Sequence, residues 1–311
     1  MLHPLFAKFL SRHKLPASYL HQATQHFSPI IDDILHQLTD RRPILLGING
    51  SQGSGKTTLA AYLQTALAAE HQLRVVSISI DDFYYGKAER QQLAEQVHPL
   101  LATRGVPGTH DVPLALATLN ALRQAEKETV AIPRFDKASD DRLAEPSWDR
   151  VQTPVDVVIL EGWCLGAAPE AEAALKEPVN PLEAVQDSDG RWRHYINQQL
   201  ASVYPPLFKQ IDIWVMLQAP SFDCVYQWRL EQEQKLAEKL QSIPQKNQNG
   251  WPAAAPAGLM DASQIQQFVQ YFQRLTQHML NTLPAQVDHV YRLDNKRKII
   301  DEIHRSYATS G

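Results

Sequence analysis

The run Gly50-Ser51-Gln52-Gly53-Ser54-Gly55-Lys56-Thr57 fits the phosphate-binding pattern G-x-x-x-x-G-K-[ST] in full. Its chemistry follows from the residue types. The glycines let successive backbone N–H groups turn into one anion-sized hollow, and a helix starting there aims its positive dipole end at the same place. Lys56 would reach the β- and γ-phosphates of a nucleotide, the Thr57 hydroxyl would hold Mg²⁺, and Thr58 completes the cradle. The flanks agree: residues 43–48 form a short apolar run that reads as a buried strand, and residues 58–67 carry helical spacing. A glycine-rich turn with a chance lysine would leave that strand–loop–helix order unexplained.

Other reactive groups fall at the ends of predicted strands, where ligands bind in open α/β sheets. Strand 74–80 leads into Asp81-Asp82-Phe83-Tyr84-Tyr85. A carboxylate there is expected on the strand beside the phosphate loop, about 5 Å away, in position to take the proton of an attacking hydroxyl. Asp81 is the better candidate base. Asp82 is assigned to the substrate, with Mg²⁺ or support of Asp81 as its other roles, and a turn or helix cap is the plainer account of the pair. Strand 155–160 ends at Glu161, an acidic residue suited to Mg²⁺, usually through water.

Two stretches between these strands could receive an acceptor. Residues 104–113 hold two glycines and two prolines, a shaped turn that would bring Arg104, His110 and Asp111 to a pocket. The planar fork of Arg104 suits a carboxylate and Asp111 suits a polyol hydroxyl, although Asp111 ahead of Pro113 is also a helix start. Pro133-Arg134-Phe135-Asp136-Lys137 and Asp140-Asp141-Arg142 supply Lys137 and Arg142 for an anionic substrate, against the usual reading of solvated charge. Arg229, in Trp228-Arg229-Leu230-Glu231-Gln232-Glu233, is placed to act as an in-chain arginine finger or, more plainly, to make ion pairs along its own helix. The six tryptophans are assigned to packing and none to a base.

Strands and helices alternate along the chain in the manner of a parallel sheet. Further strands are expected at 211–217 and, more weakly, 287–293, with helices near 113–125, 192–204, 221–240 and 261–282. The fold class is therefore α/β: a three-layer sandwich of the P-loop NTPase type with a mainly parallel central sheet. Residues 1–42 are expected as a helical extension ahead of a domain spanning 43–311, with 83–150 as an inserted substrate lobe and 221–260 as a lid. Within that lid, 242–258 is polar and proline-containing and reads as a mobile loop. Five of the twelve histidines (His3, His13, His21, His26 and His36) fall in the extension without metal-type spacing and read as scattered surface groups.

Composition narrows the partners. The chain has 311 residues, 44% hydrophobic content and a net charge of −4, with no dominant basic field for nucleic acid. Cys164 and Cys224 suit a reducing cytoplasm better than a disulfide framework. A membrane span and a secretory signal are not expected, and the sequence is silent on protein partners.

Residues 50–58, Ile80-Asp81-Asp82-Phe83-Tyr84 and Leu160-Glu161-Gly162-Trp163 resemble the P-loop kinases that include uridine kinase, phosphoribulokinase and pantothenate kinase. Within that group, the stretch 100–111, Pro133-Arg134-Phe135-Asp136-Lys137, Asp141-Arg142, residues 161–166 and residues 228–233 resemble the D-glycerate 3-kinase family of plant and fungal type and its bacterial relatives. The resemblance covers about residues 40–295. It implies an ATP- and Mg²⁺-dependent transfer to a small hydroxy acid, with Lys56 and Thr57 at the nucleotide, Asp81 at the catalytic aspartate position and Asp111 at a substrate-contacting one. Phe135 stands where tyrosine is common, and Ala138-Ser139-Asp140 replaces a plainer turn. Two rival readings remain open at this level: a kinase for a nucleoside, pantothenate-like or other small acceptor, and a regulatory ATPase without one.

Overall fold

The computed structural model describes residues 2–38, 43–124, 126–241 and 260–305. Its frame is a six-stranded sheet. The central strand β1 (Ile44–Gly50) is flanked by β7 (Val157–Gly162) and β8 (Ile213–Gln218); β2 (Val75–Ser79) lies outside β7, and β9 (His289–Leu293) and β10 (Ile299–His304) lie outside β8. All pairings are parallel except the hairpin of β9 with β10. The expected parallel sheet is present, with one antiparallel edge strand that the sequence reading lacked.

One neighbour relation differs from expectation. The strand leading to Asp81 does not lie beside β1, because β7 is inserted between them: Glu161 pairs in register with Ile48 on one side and with Ser79 on the other. The crossover from β1 to β2 thus spans a gap that a later strand fills, and Glu161 sits midway between the phosphate loop and Asp81.

Alternation along the strands gives each sheet face its own core. Leu46 and Ile48 of β1, with Ile159 and Val215, pack under α3 (Lys56–His71) and the N-terminal helices α1 (Pro4–His13) and α2 (Ser18–Gln37). Leu45, Val158, Leu160 and Met216 face the other layer, which includes α5 (Val112–Leu122) and α10 (Ala262–Thr282). Residues 4–37, expected as an extension, therefore complete one face of the sandwich. They are tied to the sheet edge as well: His289 Nε2 lies 2.9 Å from Asp33 Oδ2, His26 pairs with Glu302, and Tyr291 donates to the His26 carbonyl at 3.0 Å. His26 is thus a structural contact and not a scattered surface group.

The segment expected as a lobe lies between β2 and β7. It holds α4 (Lys87–Gln96), α5, two small antiparallel pairs, β3 (Thr129–Ile132) with β6 (Asp149–Gln152) and β4 (Phe135–Asp136) with β5 (Asp141–Arg142), and connecting turns. After β7 come α6 (Pro181–Gln186), α7 (Arg191–Ser202) and α8 (Pro205–Phe208), and after β8 comes α9 (Phe222–Gln241). The loop expected at 242–258, with Trp251, lies outside the described residues. Among the described residues, no helix is long and apolar enough to cross a membrane.

Candidate active site

The phosphate loop joins β1 to α3. Gly53 and Gly55 have φ of +80° and +99°, values that side chains with a Cβ rarely adopt. Gly53 is also fixed by space, since a Cβ there would fall 2.6 Å from the Cβ of Trp228 on α9. Ser54 N–H closes a turn on the Ser51 carbonyl at 3.2 Å, and α3 begins at Lys56 with its first N–H groups directed at the hollow. Thr57 donates to Glu161 Oε1 at 3.0 Å, and Lys56 Nζ lies 3.8 Å from Glu161 Oε2. Burial pushes the Glu161 carboxyl up from its ordinary range, with the Lys56 charge opposing.

These groups fit a Mg²⁺-bound nucleotide. The side-chain oxygens of Ser51 and Ser54 and Glu161 Oε2 are buried without hydrogen-bond partners among the described residues. Buried polar atoms left in that state cost stability unless a ligand or water satisfies them. All three stand in or beside the cradle that a triphosphate and its cation would fill.

Asp81 lies across the cleft from Lys56. It follows β2 in a short turn, where Ser79 Oγ accepts from the Asp81 N–H at 3.3 Å. Its two oxygens are held by different groups: Lys137 Nζ is 2.8 Å from Oδ2, and the Tyr84 hydroxyl donates to Oδ1 at 2.9 Å. Burial works against its charge, but Lys137 and then Lys56 outweigh burial and keep the carboxyl below the usual carboxylate range. The same pairing raises Lys137 above an ordinary lysine. Asp81 is therefore ionised at neutral pH.

The cleft is lined by Lys56, Asp81, Tyr84, Arg104, Lys137 and Arg229, with Trp163, Phe268 and Phe272 among its apolar walls. Four cationic side chains and one carboxylate thus line it. Arg104 pairs with Asp140 and lies over the Phe135 ring at 5.3 Å. Asp140 also accepts from Arg90 at 2.7 Å, and Arg90, only 1% exposed, lies over the same ring at 5.5 Å. The turn 138–140 and Phe135 thereby form the platform that carries Arg104. Arg229 pairs with Glu233 on its own helix, the plainer expectation, while its guanidinium also lies over Phe268, 5.7 Å from the centroid, at the cleft wall.

The remaining expected residues are not among those lining the cleft. Asp82 turns away from the cleft toward Arg134, 2.6 Å from its guanidinium, and accepts from the Phe135 N–H at 3.4 Å; burial raises its carboxyl. Asp111 caps α5 by accepting from the Leu114 N–H at 3.0 Å, and its other oxygen is 3.0 Å from Arg142. These two expected substrate contacts thus bind each other, and Arg142 reaches Glu89 as well. His110 is 2% exposed, stacks on Tyr84 at 4.5 Å and meets the Tyr204 hydroxyl at 2.6 Å. Burial pushes its imidazole down to about 4, with Asp81 opposing, so it is neutral and supports Tyr84 from behind.

Sequence reasoning assigned no role to Tyr84, Phe268 and Phe272, and only packing to Trp163 and Trp228. Tyr84 stood within the quoted strand-end motif and was legible as a neighbour of Asp81. The aromatic walls come from α10 and the turn after β7, and no spacing in the sequence marks them. Trp163 Nε1 donates to the Gly105 carbonyl at 2.9 Å, joining the phosphate side to the Arg104 turn.

No family model matches the chain. The "Uncharacterized kinase mug58" of Schizosaccharomyces pombe is 37% identical over 229 residues, covering 68% of this chain and 79% of that protein. The chloroplastic D-glycerate 3-kinase of Arabidopsis thaliana is 34% identical over 203 residues; the match spans 62% of this chain but only 42% of that longer protein. Among solved structures, D-glycerate 3-kinase from Cryptococcus neoformans superposes with a TM-score of 0.70 at 26% identity, covering 93% of this chain and 100% of that one.

Proposed function

The chain belongs to the P-loop kinase family, phosphotransferases that act on an alcohol group, and on that premise we propose that it moves the γ-phosphoryl group of ATP to the primary hydroxyl of D-glycerate. The observation that carries the acceptor is the set of groups lining the cleft: Lys56, Arg104, Lys137 and Arg229 face it together with Asp81, while Glu161, Asp140 and Glu233 pair with Lys56, Arg104 and Arg229 from outside that lining. A small acid with a hydroxyl suits that arrangement better than a neutral nucleoside does. The names of two relatives, both D-glycerate 3-kinases, support the choice.

In this reading residues 50–58 hold the phosphates, with Lys56 against the β- and γ-groups. Thr57 and Glu161 would hold Mg²⁺, which when bound neutralises charge on the phosphates. The acceptor's carboxylate pairs with Arg104 and Lys137, and its hydroxyl is presented to Asp81. Asp81 orients that hydroxyl and takes its proton as the O–P bond forms and ADP leaves. Arg229 adds positive charge beside the transferring group. Position and electrostatics supply most of the acceleration, since the phosphoryl group needs little covalent help.

The test is ADP release by purified protein with MgATP and a panel of D-glycerate, glycerol, pantothenate and uridine. Release that requires D-glycerate supports the assignment. Release with pantothenate or uridine replaces the acceptor, and release independent of any acceptor overturns transfer.

A further inference from the structure

The turn between β9 and β10 reaches the phosphate loop from the far edge of the sheet. Asp294 Oδ1 accepts from the N–H groups of Lys296 and Lys298, both at 2.8 Å, and Arg297 is held in the left-handed region at φ +66°. A side chain other than glycine in that region is costly and persists only where its surroundings impose it. Arg297 makes three contacts from this position. Its Nε donates to the Gly53 carbonyl at 2.6 Å, its NH1 lies 2.8 Å from Glu231 Oε2 on α9, and its guanidinium covers the Trp228 ring at 5.1 Å. Trp228 in turn donates from Nε1 to the Asn295 carbonyl at 2.8 Å.

We propose that Arg297 is a positioning residue of the phosphate site, acting through Gly53 and Trp228 to hold the loop in its binding shape before nucleotide arrives. The inference rests on reading residues 50–58 as the nucleotide cradle. In a trans peptide the C=O and the following N–H point in opposite directions. The peptide joining Gly53 and Ser54 is gripped at both ends: Arg297 holds its carbonyl, and the Ser51 carbonyl accepts its N–H. The crest of the loop therefore cannot rotate without breaking a charge-assisted hydrogen bond. The same guanidinium holds α9 through Trp228 and Glu231, on either side of Arg229, so the loop and the cleft cation move as one unit.

The test is calorimetric titration of the full chain with MgATP and with Mg²⁺ plus inorganic tripolyphosphate, alongside the unfolding temperature of the unliganded protein. Arg297→Ala is expected to weaken both ligands by the same factor, on the order of tenfold to a hundredfold for a lost bond to a charged donor. Arg297→Lys keeps the charge but cannot hold Gly53 and Glu231 in one plane, and it is expected to weaken both as well. Where Arg297→Ala fails to fold, the lysine variant carries the test. A loss for MgATP that spares tripolyphosphate would make Arg297 a contact to the nucleoside and overturn the proposal. Full affinity in Arg297→Lys would reduce it to charge alone, and unchanged affinities with a lower unfolding temperature would reduce it to a turn residue. A wild-type protein that binds neither probe would overturn the nucleotide reading and this inference with it.

Discussion

Lys137 Nζ sits 2.8 Å from Asp81 Oδ2, so the carboxylate assigned as proton acceptor is neutralised by a lysine before any acceptor enters. Lys137 is 64% exposed and Asp81 28%, so the lysine is the more accessible member of the pair. In the proposed reaction this contact makes anion recognition and proton acceptance interdependent.

Asp81→Asn removes the proposed proton acceptor and keeps a side chain of the same shape. It is expected to lower kcat by roughly a hundredfold to ten-thousandfold, the usual range for a positioned acid or base, while MgATP affinity stays close to that of the parent. Steady-state kinetics with a separate nucleotide titration decides this. A variant with near-parental turnover would remove Asp81 from the mechanism.

Lys137→Ala should act on Asp81 as well as on the acceptor. Burial raises the Asp81 carboxyl and Lys137 is the largest influence lowering it, so removing the lysine moves that carboxyl upward. The acid limb of kcat/KM, which reports groups of the free enzyme, is expected to shift to higher pH, and the KM for D-glycerate to rise. An acid limb that stays in place would show that the pair does not control the base.

In the proposed reaction Arg104 supplies the planar fork for the acceptor's carboxylate. Comparing D-glycerate with glycerol isolates that contact, because the two differ in the carboxylate and share a primary hydroxyl. Arg104→Ala is expected to narrow the preference for D-glycerate by about tenfold to a hundredfold, the worth of a hydrogen bond to a charged group. An unchanged ratio of kcat/KM values would assign recognition elsewhere.

His110 gives a stability signature. Its folded-state value of about 4 lies below the ordinary histidine value of 6.5. Its contribution to stability is therefore fully present above pH 6.5 and is lost as pH falls through 4. Across that window it should amount to about 3 kcal/mol, on the conversion of roughly 1.4 kcal/mol per unit. Urea unfolding at stepped pH should show the parent losing more stability on acidification than His110→Gln. Parallel profiles would mean that folding leaves the imidazole's proton affinity unchanged.

Most of the frame was legible because its signals are local. The glycine spacing at 50–57, the β-branched run before Asp81 and the apolar run before Glu161 each mark a strand and the reactive group at its end. The insertion of β7 between β1 and β2 was not legible, because strand order depends on packing between segments over a hundred residues apart. The same limit applies to the contact between Asp111 and Arg142, which lie 31 positions apart and whose residue types do not reveal that they meet. Arg297 left no trace in the sequence, since its proposed role depends on a positive φ in a distant turn and on the approach of that turn to Gly53.

The most direct measurement of the central claim is phosphorus NMR of the product formed from MgATP and D-glycerate by the purified protein. The account predicts ADP and a phosphomonoester on the primary hydroxyl in equal amounts, with neither formed by Asp81→Asn above background. Inorganic phosphate released at the same rate with and without D-glycerate, and no phosphomonoester, would contradict it.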